Sequence, residues 1–213
     1  MAIEKLRIDD AIKVHFAPML RAEGFTGFAK SFRRVQNGHV HVVNIQGSSY
    51  GGQFAINLAI QPLAIPDVRG NTPDPKKVIE RVCEFRRRLS ESGADQWWPY
   101  HDASSLAQAT IDAAKVYGIY GRPWFNAMST SPTLLDTLSI EQLSGSSAVL
   151  EEFQTTEVRL ALILSRIREA EGRISDAVAF AVYGLEHAGA TFSLTPELER
   201  IAALDHSAKA TLP

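Results

Sequence analysis

Cysteine is almost missing from this chain. Cys83 stands alone among 213 residues, so no internal disulfide can form, and a disulfide scaffold or a site built on cysteine pairs is excluded. Long apolar runs are missing too. No stretch approaches the roughly 20 residues that cross a bilayer, and Met1-Ala2-Ile3-Glu4-Lys5 begins with none of the hydrophobic core of a signal peptide. These absences predict a reduced, cytoplasmic protein. Neither sign of charge dominates: 22 Lys and Arg stand against 24 Asp and Glu, a net charge of −2. Nothing here draws the chain to nucleic acid or an anionic membrane, and neither is expected as a partner. The catalytic fingerprints are absent as well, with no P-loop, dinucleotide glycine motif, nucleophile elbow or His-Glu-x-x-His. No cofactor is implied, and no reaction class is indicated.

What remains is an ordinary globular composition, 45% hydrophobic and 22% charged. The charges are unevenly placed. Residues 1–100 carry 14 Lys and Arg against 10 Asp and Glu, and residues 101–213 carry 8 against 14. A basic first half is compatible with an acidic partner, or simply with two oppositely charged layers.

Helical spacing of Ile8, Ile12, Phe16, Met19 and Leu20 predicts a first helix from about Glu4 or Asp9 to Glu23. Pro18 should kink or break it, and Gly24 should cap it with Phe25 folding back. Arg33–Gln46 reads as a β-hairpin on an Asn37-Gly38 turn, pairing Gln36 with His39, Val35 with Val40 and Arg34 with His41. Strict alternation would divide Val40 and Val42 from Val43 and Ile45. A β-bulge near Val42-Val43 would reunite the four and set His39, His41, Asn44 and Gln46 on the opposite side. Gln53–Ile60 reads as a third strand, with Phe54, Ile56, Leu58 and Ile60 inward and Gln53, Ala55, Asn57 and Ala59 outward. Pro62–Pro75 reads as a loop. Lys76–Leu89 fits either helix or strand; a short helix near Pro75–Arg81 followed by a strand is preferred, with Trp97–Tyr100 closing a second hairpin. From residue 102 the signals are helical: Ala103–Tyr117 capped by Asp102, Pro132–Leu138, Gln154–Glu171, Ser175–His187, and a short helix opened by Thr195-Pro196. His206–Pro213 reads as a frayed tail.

Gly24-Phe25, Phe32-Arg33-Arg34, Val42-Val43-Asn44-Ile45-Gln46, Phe54-Ala55-Ile56-Asn57-Leu58, Arg86-Arg87-Arg88-Leu89 and Trp97-Trp98 follow one another in this order. In series they resemble a bacterial family known as domain of unknown function 4304, over roughly residues 8–128. The resemblance implies an α+β domain and carries no activity, cofactor or residue role with it. The fold expected from both lines is α+β: an antiparallel sheet of about three to five strands packed on an N-terminal helix. Residues 1–128 would form the sheet domain, and 129–213 a helical extension on the same core.

The residues able to carry chemistry are few. His39-x-His41 has the spacing of a metal pair, but a zinc site needs a third protein ligand, and nothing places His15 or His101 beside it. No metal is expected. Asn44, Gln46 and Asn57 fall on adjacent strands and form hydrogen bonds without titrating near neutral pH, which suits recognition rather than proton transfer. Arg86 and Arg88 point the same way along a strand and could gather an anion. Trp97, Trp98, Tyr100 and Trp124 read as packing, and Cys83 as inert. The expected ligand site is therefore His39, His41, Asn44, Gln46, Asn57, Arg86 and Arg88. The expected function is a non-enzymatic module that binds a protein partner or a small anion. The alternatives are a small enzyme with His39 or His41 as general base beside arginines, and an obligate partner of another protein.

Overall fold

The computed structural model describes residues 7–145, 147–189 and 193–204. The chain divides into two units. The first holds the described residues of Met1–Leu63, Asp67–Arg69 and Pro73–Thr130; the second holds those of Ala64–Pro66, Gly70–Thr72 and Ser131–Pro213.

The first unit opens with two short helices, α1 (Ile8–His15) and α2 (Ala17–Ala22), where the sequence reads as one. The break falls at Phe16, whose φ of −118° is stretched well beyond the usual helical value. Pro18 then sits in the first turn of α2, where a missing N–H has no partner to lose. Gly24 takes φ +85°, and the Phe25 N–H reaches back to the Leu20 carbonyl at 3.0 Å. This left-handed cap buries Phe25, as its position after the glycine predicts.

Six antiparallel strands follow: β1 (Thr26–Phe28), β2 (Ser31–Gln36), β3 (His39–Gly47), β4 (Gln53–Pro62), β5 (Phe85–Arg88) and β6 (Trp98–Pro99). Their order is β1-β2-β3-β4-β5, with β6 also bonded to β4. The β2–β3 hairpin has the predicted register on Asn37 (φ +49°) and Gly38 (φ +76°), the two positive dihedrals of a type I′ turn. The β5–β6 hairpin does not form. β5 pairs with Asn57–Ile60 and β6 with Gln53-Phe54, so both lie along β4 and not against each other. Lys76–Leu89 holds only a 3₁₀ turn, Glu80–Val82, before the strand.

No bulge interrupts β3. His39 through Gly47 pair residue for residue with Pro62 back to Phe54. His39, His41, Val43 and Ile45 therefore share one face with Phe54, Ile56, Leu58 and Ile60, and Val40, Val42, Asn44 and Gln46 share the other with Ala55, Asn57, Ala59 and Gln61. The bulge was expected because it would collect four aliphatics on a single core. The sheet instead buries apolar residues on both faces. Val40, Val42 and Ala59 form a second, smaller cluster with Val78 and Cys83. Ala55 and Ala59, read as outward, are fully buried for the same reason.

The other face, hereafter the helix face, carries the helical layer of this unit. α3 (Ala103–Val116) starts at Asp102, whose side chain accepts the Ser105 N–H while Ser105 returns the bond in a capping box. It runs through a π-helical turn (Tyr117–Gly121) into α4 (Arg122–Ser129). At Gly121 a β-carbon would lie 2.7 Å from the Tyr117 ring, 3.1 Å from Leu58 and 3.3 Å from Leu89, so this turn is pressed against the sheet. Phe125 is the hub, with Phe25, His41, Tyr117 and Trp124 around it.

The second unit is helical. α5 (Ile140–Gly145) and α6 (Ser147–Phe153) precede the helical hairpin α7 (Glu157–Ala170) and α8 (Ile174–Glu186), followed by α9 (Thr195–Ala202). Pro132–Leu138 is not the predicted helix. Thr133 and Asp136 exchange side-chain-to-backbone bonds of 2.7 and 3.1 Å that close a turn there. Arg168, fully buried, donates to the carbonyls of Leu135 and Asp136 and ties that turn to α7. Ala177, Ala181, Leu162, Leu198 and Ile201 fill the core of the unit. The predicted frayed tail at His206–Pro213 lies outside the described residues. No described helix is long and apolar enough to cross a membrane.

Candidate functional site

The register places the seven expected site residues in two groups, on opposite sides of the sheet. His39 and His41 lie on the helix face. Asn44, Gln46, Asn57, Arg86 and Arg88 lie on the distal face.

His41 is fully buried beneath α4, its ring stacked on Phe125 with centroids 4.6 Å apart and an interplanar angle of 8°. The Arg34 Nε–H donates to its Nδ1 at 3.0 Å. That fixes the tautomer: the proton is on Nε2, which donates to Ser129 Oγ, and the Ser129 hydroxyl donates in turn to the Phe125 carbonyl at 2.7 Å. Burial above all, then the nearby Arg34 and His39, lowers the His41 pKa to about 3. Arg34 also donates to the Glu23 carbonyl at 2.9 Å and lies over the Phe25 ring at 4.6 Å. The Glu23 carboxylate accepts from the Tyr117 hydroxyl and from Arg122, both at 2.8 Å. Burial and Glu23 push the Tyr117 hydroxyl pKa well above its ordinary value. The assembly is a polar knot inside the helix–sheet interface, in which, among the described residues, Arg34 Nη2 alone is buried without a hydrogen-bond partner. Its imidazole has no lone pair to offer, since Nδ1 is taken by a guanidinium. The Ser129–His41 pair runs the wrong way for nucleophile activation, because the histidine donates to the serine.

On the distal face, Ser31, Asn44, Asn57 and Arg88 lie opposite one another in a single row across four strands. Asn57 Nδ2 donates to Asn44 Oδ1 at 3.3 Å and to Gln46 Oε1 at 3.1 Å. Arg88 Nη1 donates to Asn57 Oδ1 at 2.8 Å and to Gln46 Oε1 at 3.3 Å. Its Nε donates to Asp95 at 2.7 Å, and its guanidinium lies 5.1 Å above the Trp97 ring. The Trp97 indole N–H takes the second Asp95 oxygen at 2.8 Å. That bond first, then Arg88, holds the Asp95 carboxyl below the usual carboxylate range. The acceptors of the row are thus occupied from within. The amide nitrogen of Gln46 and Nη2 of Arg88 are left over as donors. Arg86 lies one row away and is engaged by Glu80 at 2.7 Å, so it does not join this group.

The split between the two histidines and the amides follows from the missing bulge. One residue of slip along β3 reverses every side chain, so a single error in the register divides the site. Cys83 is buried beside Val78, and burial, then the Glu80 carboxylate, pushes its thiol pKa up to about 12. Burial and a raised thiol pKa both lower its reactivity. Among the described residues, no three His, Cys, Asp or Glu side chains gather as a metal site would. Glu23, Tyr117 and Ser129 were not anticipated, since their partners lie 88 to 94 residues away and no local pattern joins them.

The structure defines the first unit as an α+β domain in which a meander sheet carries its helices, and the closed histidine cluster, on one face. The chain belongs to the domain of unknown function family DUF4304, whose model matches residues 16–127. No curated protein and no solved structure matches it.

Proposed function

We propose that this protein is a non-enzymatic binding module that recognises an oxyanion, a carboxylate or phosphate, at the Asn44–Gln46–Asn57–Arg88 row. The observation that carries this reading is the inventory of the row after its internal bonds are counted. What it has left to offer is hydrogen-bond donors, the Gln46 amide and Nη2 of a guanidinium whose Nε is held by Asp95, and these suit a carboxylate or phosphate oxygen. Amides and guanidinium do not exchange protons near neutral pH, so the row suits recognition and not turnover. The enzymatic alternative is less well supported, because His41 is enclosed, neutral and already a hydrogen-bond acceptor from Arg34.

The oxyanion has two sources, a free small molecule or an acidic or phosphorylated side chain of a protein partner. Titrating the ¹⁵N-labelled protein with inorganic phosphate and with glutarate tests the chemistry. The side-chain amide signals of Gln46 and Asn57 should shift, and Arg88→Ala or Asn44→Ala should abolish the shift without altering the fold. Repeating the titration with a Glu-rich and a phosphoserine peptide then separates the sources. If no ligand moves these signals at millimolar concentration, or if Arg88→Ala responds as the wild type does, the reading fails.

A further inference from the structure

A second feature of the distal face lies at the β1 edge, beyond Ser31 and four strands away from Arg88. Phe28 is 81% exposed and Val35 56% exposed, in a unit that buries almost every other large apolar side chain of its sheet. The register puts both on the distal face: Phe28 lies opposite Ser31 in the row of Asn44, and Val35 lies opposite Val40, two rows further along β2. Between them runs the row of Thr26 and Arg33. Together with Lys30 and Lys76 these residues line a groove of about 630 Å³ along β1, the short outermost strand of the sheet.

The charge of this groove is one-sided. Its walls include Lys30, Arg33, Arg34 and Lys76 and no carboxylate. Arg34 belongs electrically to the other side of the sheet, where Glu23 compensates it at 3.8 Å. Lys30, Arg33 and Lys76 form no side-chain ion pair with a carboxylate among the described residues, although Asp74 in the same turn accepts the Lys76 backbone N–H at 2.9 Å. Arg33 instead donates to the Lys76 carbonyl, which fastens the 74–77 turn to β2 and makes one wall of the groove. Most other arginines of this unit are paired: Arg86 with Glu80, Arg88 with Asp95, Arg122 with Glu23. Three neighbouring cations without a side-chain ion pair thus stand beside two exposed apolar side chains.

We infer that the groove is an interaction surface for an acidic, extended segment of another protein, carrying apolar side chains that cover Phe28 and Val35. Charge complementarity selects acidic residues. The span selects a polypeptide over a small anion. Ser31, which marks the row of Phe28, stands four positions before Val35 on β2, a separation of about 13 Å at roughly 3.3 Å per residue. No single carboxylate or phosphate reaches both ends, and neither offers apolar surface to them. A second copy of this chain is disfavoured, because pairing groove to groove brings the same cations together.

The test is selection of a phage-displayed random-peptide library on the immobilised full chain. Enriched peptides are then synthesised and measured by fluorescence anisotropy. They should be rich in Asp and Glu, carry apolar residues about four positions apart, and bind more weakly as ionic strength rises. Phe28→Ser and Lys76→Glu should each weaken binding by about tenfold or more, the loss of one good contact. Both side chains are exposed, so circular dichroism and Tm should not change. Arg88→Ala should leave peptide binding intact, which separates this surface from the oxyanion row: either can fail alone. Enriched peptides without acidic bias, or affinity unchanged in both groove variants, would overturn the inference. So would a dimer by light scattering that Phe28→Ser dissociates, since that assigns the surface to a second copy.

Discussion

His41 makes the stability of this domain depend on pH in a way that can be calculated. In the folded chain its pKa is lowered to about 3, and burial is the leading cause. In the unfolded chain it returns to about 6.5. Between those values the unfolded state binds a proton that the folded state refuses, so stability is held above pH 6.5 and lost as pH falls. The linkage relation puts the loss between pH 7 and pH 5 at about 2 kcal/mol, for a single site moved by this much. In a chain of this size that corresponds to roughly 4–8 °C in Tm. Urea denaturation of wild type and His41→Gln across this range is the assay. The variant is less stable across this range, having lost the stack on Phe125 and the bond to Ser129, but its slope against pH should be flatter, by an amount that approaches one proton near pH 5. A parallel NMR titration should find the His41 imidazole without a titration step above pH 5. If His41 titrates near 6.5 in the folded protein, or if wild type and variant lose stability in parallel, the burial argument is wrong.

Three further outcomes are expected. Gly121→Ala should destabilise by about 1–3 kcal/mol, because its β-carbon meets Tyr117 at 2.7 Å and Leu58 at 3.1 Å and the packed interface has to give way; chemical denaturation measures it, and a neutral result would mean the π-helical turn is not pressed on the sheet. Cys83 should react with a thiol reagent only slowly in the native protein and at once in denaturant, since its thiol is buried and raised to about 12; rapid native labelling would contradict that placement. Arg168→Ala should cost about 3 kcal/mol or more by leaving the carbonyls of Leu135 and Asp136 without their donor; amide exchange at residues 133–138 should rise with it, and unchanged protection there would show that Arg168 does not hold the turn.

Much of the architecture could be read from local chemistry. Asn37-Gly38 fixed the central hairpin because both residues accept positive φ. Gly24 and Asp102 marked helix ends because caps satisfy backbone groups that a helix leaves orphaned. The sheet faces were misread because the rule applied to them assumes one dry side. Val40-x-Val42 and Val43-x-Ile45 are what a strand buried on both sides looks like, and alternation cannot distinguish that from a bulge. The polar row was legible as amides on neighbouring strands. Its separation from the histidines was not, for the same reason. β1 went unseen as a strand, and the groove beside it with Lys30, Val35 and Lys76, because exposure of an apolar side chain is a property of the assembled surface and leaves no mark on spacing. Likewise the pairing of Glu23 with Tyr117 and Arg122 spans 94 and 99 residues, a distance over which only the folded chain brings partners together.

The sheet's two-sidedness also bears on how the chain is made. β3 and β4 are complete by Pro62, yet α4, which covers His41, ends at Ser129, nearly 70 residues later. At about 5–20 residues per second a ribosome needs roughly 3–14 s to supply that cover, far longer than a hairpin takes to form. For that interval the sheet and the earlier α1–α2 segment lack the α4 side chains that pack on them, among them Phe125 over His41. An apolar sheet face that must wait for its helix is a surface on which nascent chains can associate.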